Sequence, residues 1–229
     1  MFLGKAKYKP PGPGEHFRAR IANSWEGIRD IQIPHLVENV RQAILDPLVI
    51  DQAGWNLLTI EDEAQRRSPV EMARVQYQWV RGVFQYMPDG VQTEKTQTAN
   101  RFIRMSRVPR EFIMAAVAPI YAARERRDLG EMTLKDIPPL AVKVLGDCDE
   151  AIMCSAALPA VCGIPTRFML GSADPKGDSF HHIWVEADVY GDGSPDSWAA
   201  GAMDPTEPEF DEMGKYAEMA RYQPVEIFA

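Results

Sequence analysis

The chain has 229 residues, of which 45% are hydrophobic and 25% charged, and its formal net charge is −8. This composition is typical of a globular protein, and the length fits one large domain better than two small ones. The negative charge argues against general nucleic-acid binding. No apolar run approaches the roughly 20 residues that span a bilayer, and the first residues lack the apolar core of a signal peptide. We therefore expect no membrane partner and a cytoplasmic location.

The chain begins with a basic arm, residues 1–20, which carries five lysines and arginines against one glutamate. The arm contains the run KPPGPG, whereas residues 171–229 carry 13 acidic residues against three basic ones. A segment with this composition cannot bury enough apolar surface to fold alone. It is either a solvated tail or an arm that orders on a partner. Residues 21–229 are interpreted as a single domain.

The front half of this domain reads as helical. In PHLVENVRQAILDP the apolar residues recur at helical spacing, and the Asp46–Pro47 pair predicts the end of the helix. In SPVEMARVQYQWVRGVFQY, Ser68 is the predicted N-cap, Pro69 the first helical residue and Glu71 the partner in a capping box. Both helices are predicted to pack their apolar faces into the core.

The middle of the chain predicts a helical insertion around residues 100–140, with a helix that starts near Pro109 and ends before Gly130. Downstream, TRFMLG and FHHIWVEADVY are rich in β-branched and aromatic residues, and GDGSPDS between them and Trp198 reads as a turn. Strands are therefore predicted from Thr166 to about Asp204. Helices followed by strands indicate an α+β domain.

The stretch GDCDEAIMC predicts a helix that starts at a cysteine. Asp147 is a good N-cap and Glu150 matches a capping box, so Cys148 falls on the first helical residue. Unpaired backbone N–H groups at a helix start favour an anion there, and a thiolate is the nucleophilic form of cysteine. Cys154 and Cys162 lie among apolar residues and are interpreted as core residues. The three cysteines form no C-x-x-C element, so no metal site is predicted.

A nucleophilic cysteine needs a base, and the base needs an orienting group. His181 and His182 lie in a predicted strand, where adjacent side chains point to opposite faces, so only one of them can face the cysteine. Asp204 follows 22 residues after His182, at the end of the next predicted strand. A neighbouring strand could hold this carboxylate against the imidazole.

Three blocks in order, GDCDEAIMCSAALPAVCGIPTRF, HIWVEADVY and WAAGAMDPT, resemble the core of the transglutaminase-like superfamily. That family is marked by a G-D-C cysteine block, an H-x-W-x-E strand and a closing W…D-P-T. The resemblance covers roughly residues 68–206. It implies a papain-like fold in which the cysteine helix packs on an antiparallel sheet.

Carried over by position, the resemblance makes Cys148 the nucleophile, His182 the base and Asp204 the residue that orients the imidazole. His182 is chosen over His181 because it stands two residues before Trp184, as in the family's strand. The implied activity is cysteine-dependent chemistry on a peptide or protein amide, with water (peptidase or amidase) or an amine (transglutaminase) as the acceptor. No D-x-D-x-D-G calcium pattern occurs in the chain, so neither a metal nor a cofactor is expected.

An alternative function is structural. The chain also looks like small transglutaminase-like proteins encoded among bacteriophage head and tail genes, which implies a virion component that contacts other phage proteins through the arm. The uneven charge, basic at one end and acidic at the other, suits head-to-tail packing of subunits. A third interpretation is a binding module in which Cys148 is inert and the insertion blocks the cleft.

Overall fold

The fold is taken from a computed structural model, which describes residues 32–86, 98–107, 144–146, 148–176, 180, 182–206, 209–210 and 212–228. Within these ranges the chain forms six α-helices, a short 3-10 helix at Gln65–Arg67, and six β-strands. The helices are α1 (Ile33–Ala43), α2 (Pro47–Leu57), α3 (Pro69–Val83), α4 (Ala99–Ser106), α5 (Cys148–Val161) and α6 (Pro195–Ala200). The strands are β1 (Phe84–Tyr86), β2 (Val144–Gly146), β3 (Thr166–Ser172), β4 (His182–Ala187), β5 (Ala202–Met203) and β6 (Arg221–Glu226).

Four of these strands form one antiparallel sheet in the order β5-β4-β3-β6. In the centre, β3 pairs with β4 so that Gly171 lies opposite His182 and Met169 opposite Trp184. On its other side β3 pairs with β6, where Gly171 lies opposite Tyr222. The remaining strands, β1 and β2, form a separate parallel pair. In the described ranges, helices therefore dominate the earlier part and an antiparallel sheet the later part, which confirms the predicted α+β class.

The core is built around α5. The helix is apolar on all sides, and its residues from Ala151 to Leu158 are buried, which is the pattern of a helix surrounded by other elements. It packs against α1 to α4 on one side and against β3 and β4 on the other. Pro159 lies inside the helix two residues before its end, so the helical turns near Cys148 are undisturbed.

Two details of the helical half differ from the prediction. The Asp46–Pro47 pair both follows α1 and starts α2, because Asp46 caps α2 by accepting a hydrogen bond from the Leu48 N–H at 2.9 Å. The capping box predicted for α3 does not form: Ser68 is the N-cap residue but makes no side-chain hydrogen bond. Glu71 instead accepts hydrogen bonds from Arg74, one turn along the same helix.

The sheet half also differs. The segment predicted as a turn, residues 191–197, runs into the start of α6, where the Ser194 hydroxyl accepts a hydrogen bond from the Ser197 N–H at 3.1 Å and Pro195 occupies the first turn. The helix predicted near residues 109–128 and the arm, residues 1–20, lie outside the described residues. Among the residues that are described, no helix has the length and apolar character to cross a membrane.

His35 is a fully buried histidine in α1, and its environment couples folding to pH. The Asn39 side-chain amide donates a hydrogen bond to His35 Nε2 at 2.8 Å, so this nitrogen must be unprotonated in the fold. Burial lowers the pKa of His35 from 6.5 to about 4. The imidazole is therefore neutral in the fold over a pH range in which the unfolded chain binds a proton there.

We predict that His35 makes the fold acid-labile between pH 6.5 and 4. Since the unfolded chain binds more protons in this window, the free energy of unfolding falls as the pH falls, by about 3 kcal/mol for a shift of this size. Chemical denaturation at pH 7 and at pH 4.5 should show a smaller loss in His35→Gln than in the wild type. An equal loss in the two proteins would show that other groups carry the acid sensitivity.

Candidate active site

Cys148 is the first residue of α5, so its backbone stands at the end of the helix where N–H groups lack partners inside the helix. For Cys148 the structure describes the backbone, and the predicted N-cap, Asp147, lies outside the described residues. The other two cysteines are both free thiols. Burial raises the pKa of the Cys154 and Cys162 thiols, and for Cys162 a hydrogen bond from Gln76 opposes that rise.

We infer that the start of α5 lies at the same end of the domain as His182. Helix α5 contacts β3, and because only four residues, 162–165, connect them, the two are expected to run in opposite directions. The helix is about 21 Å long at 1.5 Å per residue, and β3 is about 23 Å long at 3.3 Å per residue. Cys148 therefore lies near the level of the carboxyl end of β3, where Gly171 pairs with His182.

His182 is the first residue of β4, and its ring contacts Asp204. The imidazole Nε2–H donates a hydrogen bond to the Asp204 Oδ2 at 2.6 Å. Asp204 follows β5 directly and is completely buried, whereas the His182 side chain keeps 15% of its surface exposed. Since the carboxylate occupies Nε2, Nδ1 is the ring nitrogen left for a reacting group. The second predicted candidate, His181, lies outside the described residues.

The buried Asp204 carboxylate is fully supplied with hydrogen-bond donors. Its second oxygen, Oδ1, accepts from the Thr206 hydroxyl at 2.6 Å and from the Thr206 N–H at 3.4 Å. A buried carboxylate costs several kcal/mol unless it is paired and hydrogen-bonded, and here both oxygens are satisfied. The arrangement holds the carboxylate in one orientation against the imidazole.

Helix α3 fixes the backbone that carries this carboxylate. The Tyr77 hydroxyl donates to the Asp204 carbonyl oxygen at 2.8 Å and also contacts the Phe210 carbonyl oxygen. One turn further along the helix, Arg81 Nη1 donates to the Pro205 carbonyl oxygen at 2.6 Å. Sequence reasoning did not identify Tyr77 or Arg81, because their spacing on α3 indicates only which face is buried.

Trp184 packs on the His182 ring from within the same strand. The two ring centroids are 5.8 Å apart with planes 27° from parallel, and Tyr216 stacks on Trp184 at 5.4 Å. Trp184 is completely buried, and its Nε1–H has no hydrogen-bond partner among the described residues. The stack restricts the imidazole to one rotamer without competing for its nitrogens.

We call the side of the sheet that carries Met169, His182 and Trp184 its outer face. The alternate residues of β4, Ile183 and Val185, belong to the apolar core that contains α5. His182 is therefore placed at the end of its strand and on the outer face, opposite the face that packs on α5. No group of three or more His, Cys, Asp and Glu side chains in the described part of the chain could hold a metal ion.

Comparison with protein-family models, with curated proteins and with solved structures finds no match to this chain. The site is therefore interpreted from its own geometry. A buried Asp–His pair and a helix-start cysteine at the same end of one domain are the parts required for nucleophilic catalysis by a thiolate.

Proposed function

We propose that this protein is a transglutaminase-like enzyme that uses Cys148, His182 and Asp204 to carry out chemistry on peptide or protein amides. The observation that carries the proposal is the His182 Nε2 to Asp204 Oδ2 hydrogen bond of 2.6 Å, made to a fully buried carboxylate. A histidine with no role beyond the protein surface would not need a buried carboxylate as a hydrogen-bond partner. The pairing leaves Nδ1 for proton transfer and stabilises the imidazolium form.

In the first half of the reaction the thiolate of Cys148 attacks the amide carbonyl carbon and a C–S bond forms. Negative charge develops on the carbonyl oxygen, where backbone N–H groups at the start of α5 can donate hydrogen bonds to it. The imidazolium of His182 then gives its proton to the leaving nitrogen as the C–N bond breaks. The products of this half are a free amine and a thioester on Cys148.

In the second half, an acceptor replaces the sulfur. His182, now neutral, takes a proton from the acceptor as its oxygen or nitrogen attacks the thioester. Water as the acceptor gives a carboxylic acid, and an amine gives a new amide. Either outcome regenerates the Cys148 thiolate and the His182 imidazolium.

We predict that brief iodoacetamide treatment at pH 7 labels Cys148 at least about 100-fold faster than Cys154. Cys154 is buried and its pKa is raised, so its thiolate is scarce, whereas a helix start and an imidazolium favour the thiolate of Cys148. The three rates are measured by mass spectrometry of peptides, with the same treatment in denaturant as the control for intrinsic reactivity. Similar rates at all three cysteines in the native protein would contradict the proposal.

Iodoacetamide labelling shows only that Cys148 is nucleophilic, so acyl transfer has to be tested by a second measurement. Short exposure to p-nitrophenyl acetate should leave an acetyl group on Cys148 that neutral hydroxylamine removes, as expected for a thioester. A reactive Cys148 that never carries an acetyl group would indicate a reactive thiol without amide chemistry.

The alternative role in a phage particle stays a prediction, because the arm on which it depends, residues 1–20, lies outside the described residues.

A further inference from the structure

A groove of about 640 Å³ opens on the outer face of the sheet, beside the aromatic stack that includes Trp184. Its lining combines aromatic and apolar side chains (Phe210, Tyr216, Met219 and Tyr222) with two carboxylates (Glu209 and Glu218), one lysine (Lys215) and Gly214. Neither the fold nor the proposed triad requires this combination at a solvent-accessible position. Its chemistry indicates a ligand that is positively charged and has apolar surface.

Two tyrosines form a corner in this groove. The rings of Tyr216 and Tyr222 are 6.4 Å apart at 81°, so one presents its face and the other its edge across the corner. The Tyr222 hydroxyl accepts a hydrogen bond from the Met219 N–H at 2.8 Å, which fixes the ring, and 43% of the residue is exposed. Tyrosine faces attract ammonium and guanidinium groups that lie within about 6 Å of the ring centroid.

Carboxylates outnumber the single lysine around the corner. Glu209 and Glu218 are exposed at the rim, and the one lysine of the groove, Lys215, pairs with Glu212 at 3.2 Å. The pKa of Tyr216 is raised by burial first and then by the charges of Tyr222, Glu186 and Glu218. A cation in the groove would therefore meet favourable charges as well as aromatic surface.

The groove is within reach of a substrate held at His182. His182, Gly171 and Tyr222 form one row across three neighbouring strands, and the Met219 and Trp184 side chains cover Gly171 between the other two. The ring centroids step from His182 to Trp184 by 5.8 Å and on to Tyr216 by 5.4 Å. The groove thus lies within roughly 11 Å of the imidazole, about the length of three extended residues.

We propose that this groove binds a lysine or arginine side chain of the peptide substrate, about three residues from the amide that Cys148 attacks. The inference rests on the proposed function and specifies its substrate class. Recognition uses the Tyr216–Tyr222 corner for the cation and its apolar stem, and Glu209 and Glu218 for the charge.

Affinity labels of Cys148 test this inference directly. The probes are bromoacetyl-(Gly)n-Arg amides with zero to three glycines, each matched to a citrulline peptide that has nearly the same shape and no charge. The Cys148 thiolate displaces bromide and forms a thioether, which mass spectrometry counts. At the best length, the arginine probe should label Cys148 about tenfold faster than its citrulline partner, as cation–π contacts and a carboxylate together provide.

Substitutions in the groove then test which residues cause the preference for the arginine probe over the citrulline probe. Tyr222→Ala and Glu218→Gln should each reduce the arginine-to-citrulline ratio towards one, whereas Tyr222→Phe, which keeps the ring, should retain most of it. Matched controls are Tyr190→Ala, a more exposed tyrosine elsewhere, and Glu61→Gln, an exposed carboxylate on the helical half. These controls should keep the wild-type ratio. A ratio near one in the wild type, or a ratio that Tyr222→Ala leaves intact, overturns the groove assignment.

A binding measurement separates this inference from the proposed function. Acetyl-Gly-Gly-Arg amide is titrated into Cys148→Ala, which cannot react, and the shifts of tyrosine ring signals are followed by NMR. Saturable shifts with the arginine peptide, at least about tenfold tighter than with the citrulline peptide, support the groove even if wild-type Cys148 proves unreactive. Equal affinity for the two peptides overturns the groove even if Cys148 is a nucleophile.

Discussion

Replacing His182 by alanine is expected to slow acetylation of Cys148 by p-nitrophenyl acetate by about 10²- to 10⁴-fold at pH 7. This is the range that a positioned acid–base side chain contributes to catalysis. The substitution removes both the partner that keeps the thiol ionised and the group that moves protons. Burst-phase release of p-nitrophenol, together with the mass of the acetylated protein, measures the rate at the sulfur itself.

Asp204→Ala and Asp204→Asn should each slow acetylation of Cys148, by less than His182→Ala. Asparagine lacks the charge that stabilises the imidazolium, and since Thr206 requires its oxygen, its NH2 group faces His182 Nε2 and favours the tautomer with the proton on Nδ1. Asp204 is buried, so both variants will also lose stability. Comparison of the two Asp204 variants separates the effect of the contact with the His182 ring from the effect of the carboxylate charge.

Asp188→Asn is the matched control for that loss of stability. Asp188 is another buried carboxylate, and it accepts hydrogen bonds from Gly191 N and Gly193 N at 3.0 Å and from the Ser197 hydroxyl. It makes none of the contacts of the His182–Asp204 pair. A variant of Asp188 that slowed acetylation as much as Asp204→Ala would show that the effect reports stability and not the triad.

The parts of the fold that could be predicted are those fixed by local chemistry. The helix that starts at Cys148 follows from a short polar run before an apolar one, and β3 and β4 follow from β-branched and aromatic residues. These signals lie within a few residues of the features that they predict. The pairing of His182 with Asp204, 22 residues apart, was instead predicted from the resemblance described in the sequence analysis.

The parts that could not be predicted depend on contacts between distant segments. Strand β6 carries Pro224 and mostly exposed side chains, so its sequence lacks the alternation of a strand. It is an edge strand, where a proline and polar residues are tolerated because one side makes no ladder hydrogen bonds. Its pairing with β3 is decided by tertiary structure and leaves no local pattern.

Other differences between the prediction and the structure arise where one sequence pattern is compatible with two local structures. Asp46–Pro47 ends one helix and starts the next, because aspartate caps a helix and proline suits its first turn. The segment before Trp198 reads as a turn, yet Ser194 and Pro195 are also an N-cap and a first helical residue. No prediction was made for Tyr77 and Arg81 of α3, since nothing local shows that they bind the backbone at Asp204 and Pro205.

Of the described glycines, Gly201 is expected to show the largest loss of stability on substitution by alanine, about 3 kcal/mol or more. A Cβ built on Gly201 would lie 2.0 Å from the Ala187 carbonyl oxygen and 2.9 Å from its carbonyl carbon. Both atoms belong to the backbone of β4, so no side-chain rotation relieves the overlap. The strand or the residue after α6 must move.

The same movement should reach the candidate active site. Gly201 accepts a hydrogen bond from the Ala187 N–H at 3.1 Å and leads directly into β5, which ends one residue before Asp204. Displacing this segment shifts Asp204 relative to His182, so acetylation of Cys148 should slow in molecules that remain folded. Chemical denaturation and p-nitrophenol burst rates at a temperature well below the melting point measure the two effects separately.

Gly82→Ala in α3 is the control, because a Cβ there meets no atom within 4 Å. Alanine is the better helix former, so this variant should gain up to about 1 kcal/mol and keep the wild-type burst rate. If Gly201→Ala were as stable as Gly82→Ala, the close approach of Gly201 to Ala187 would be wrong. If it were destabilised but reacted normally, Asp204 would be held by Tyr77 and Thr206 alone, independently of the strand that precedes it.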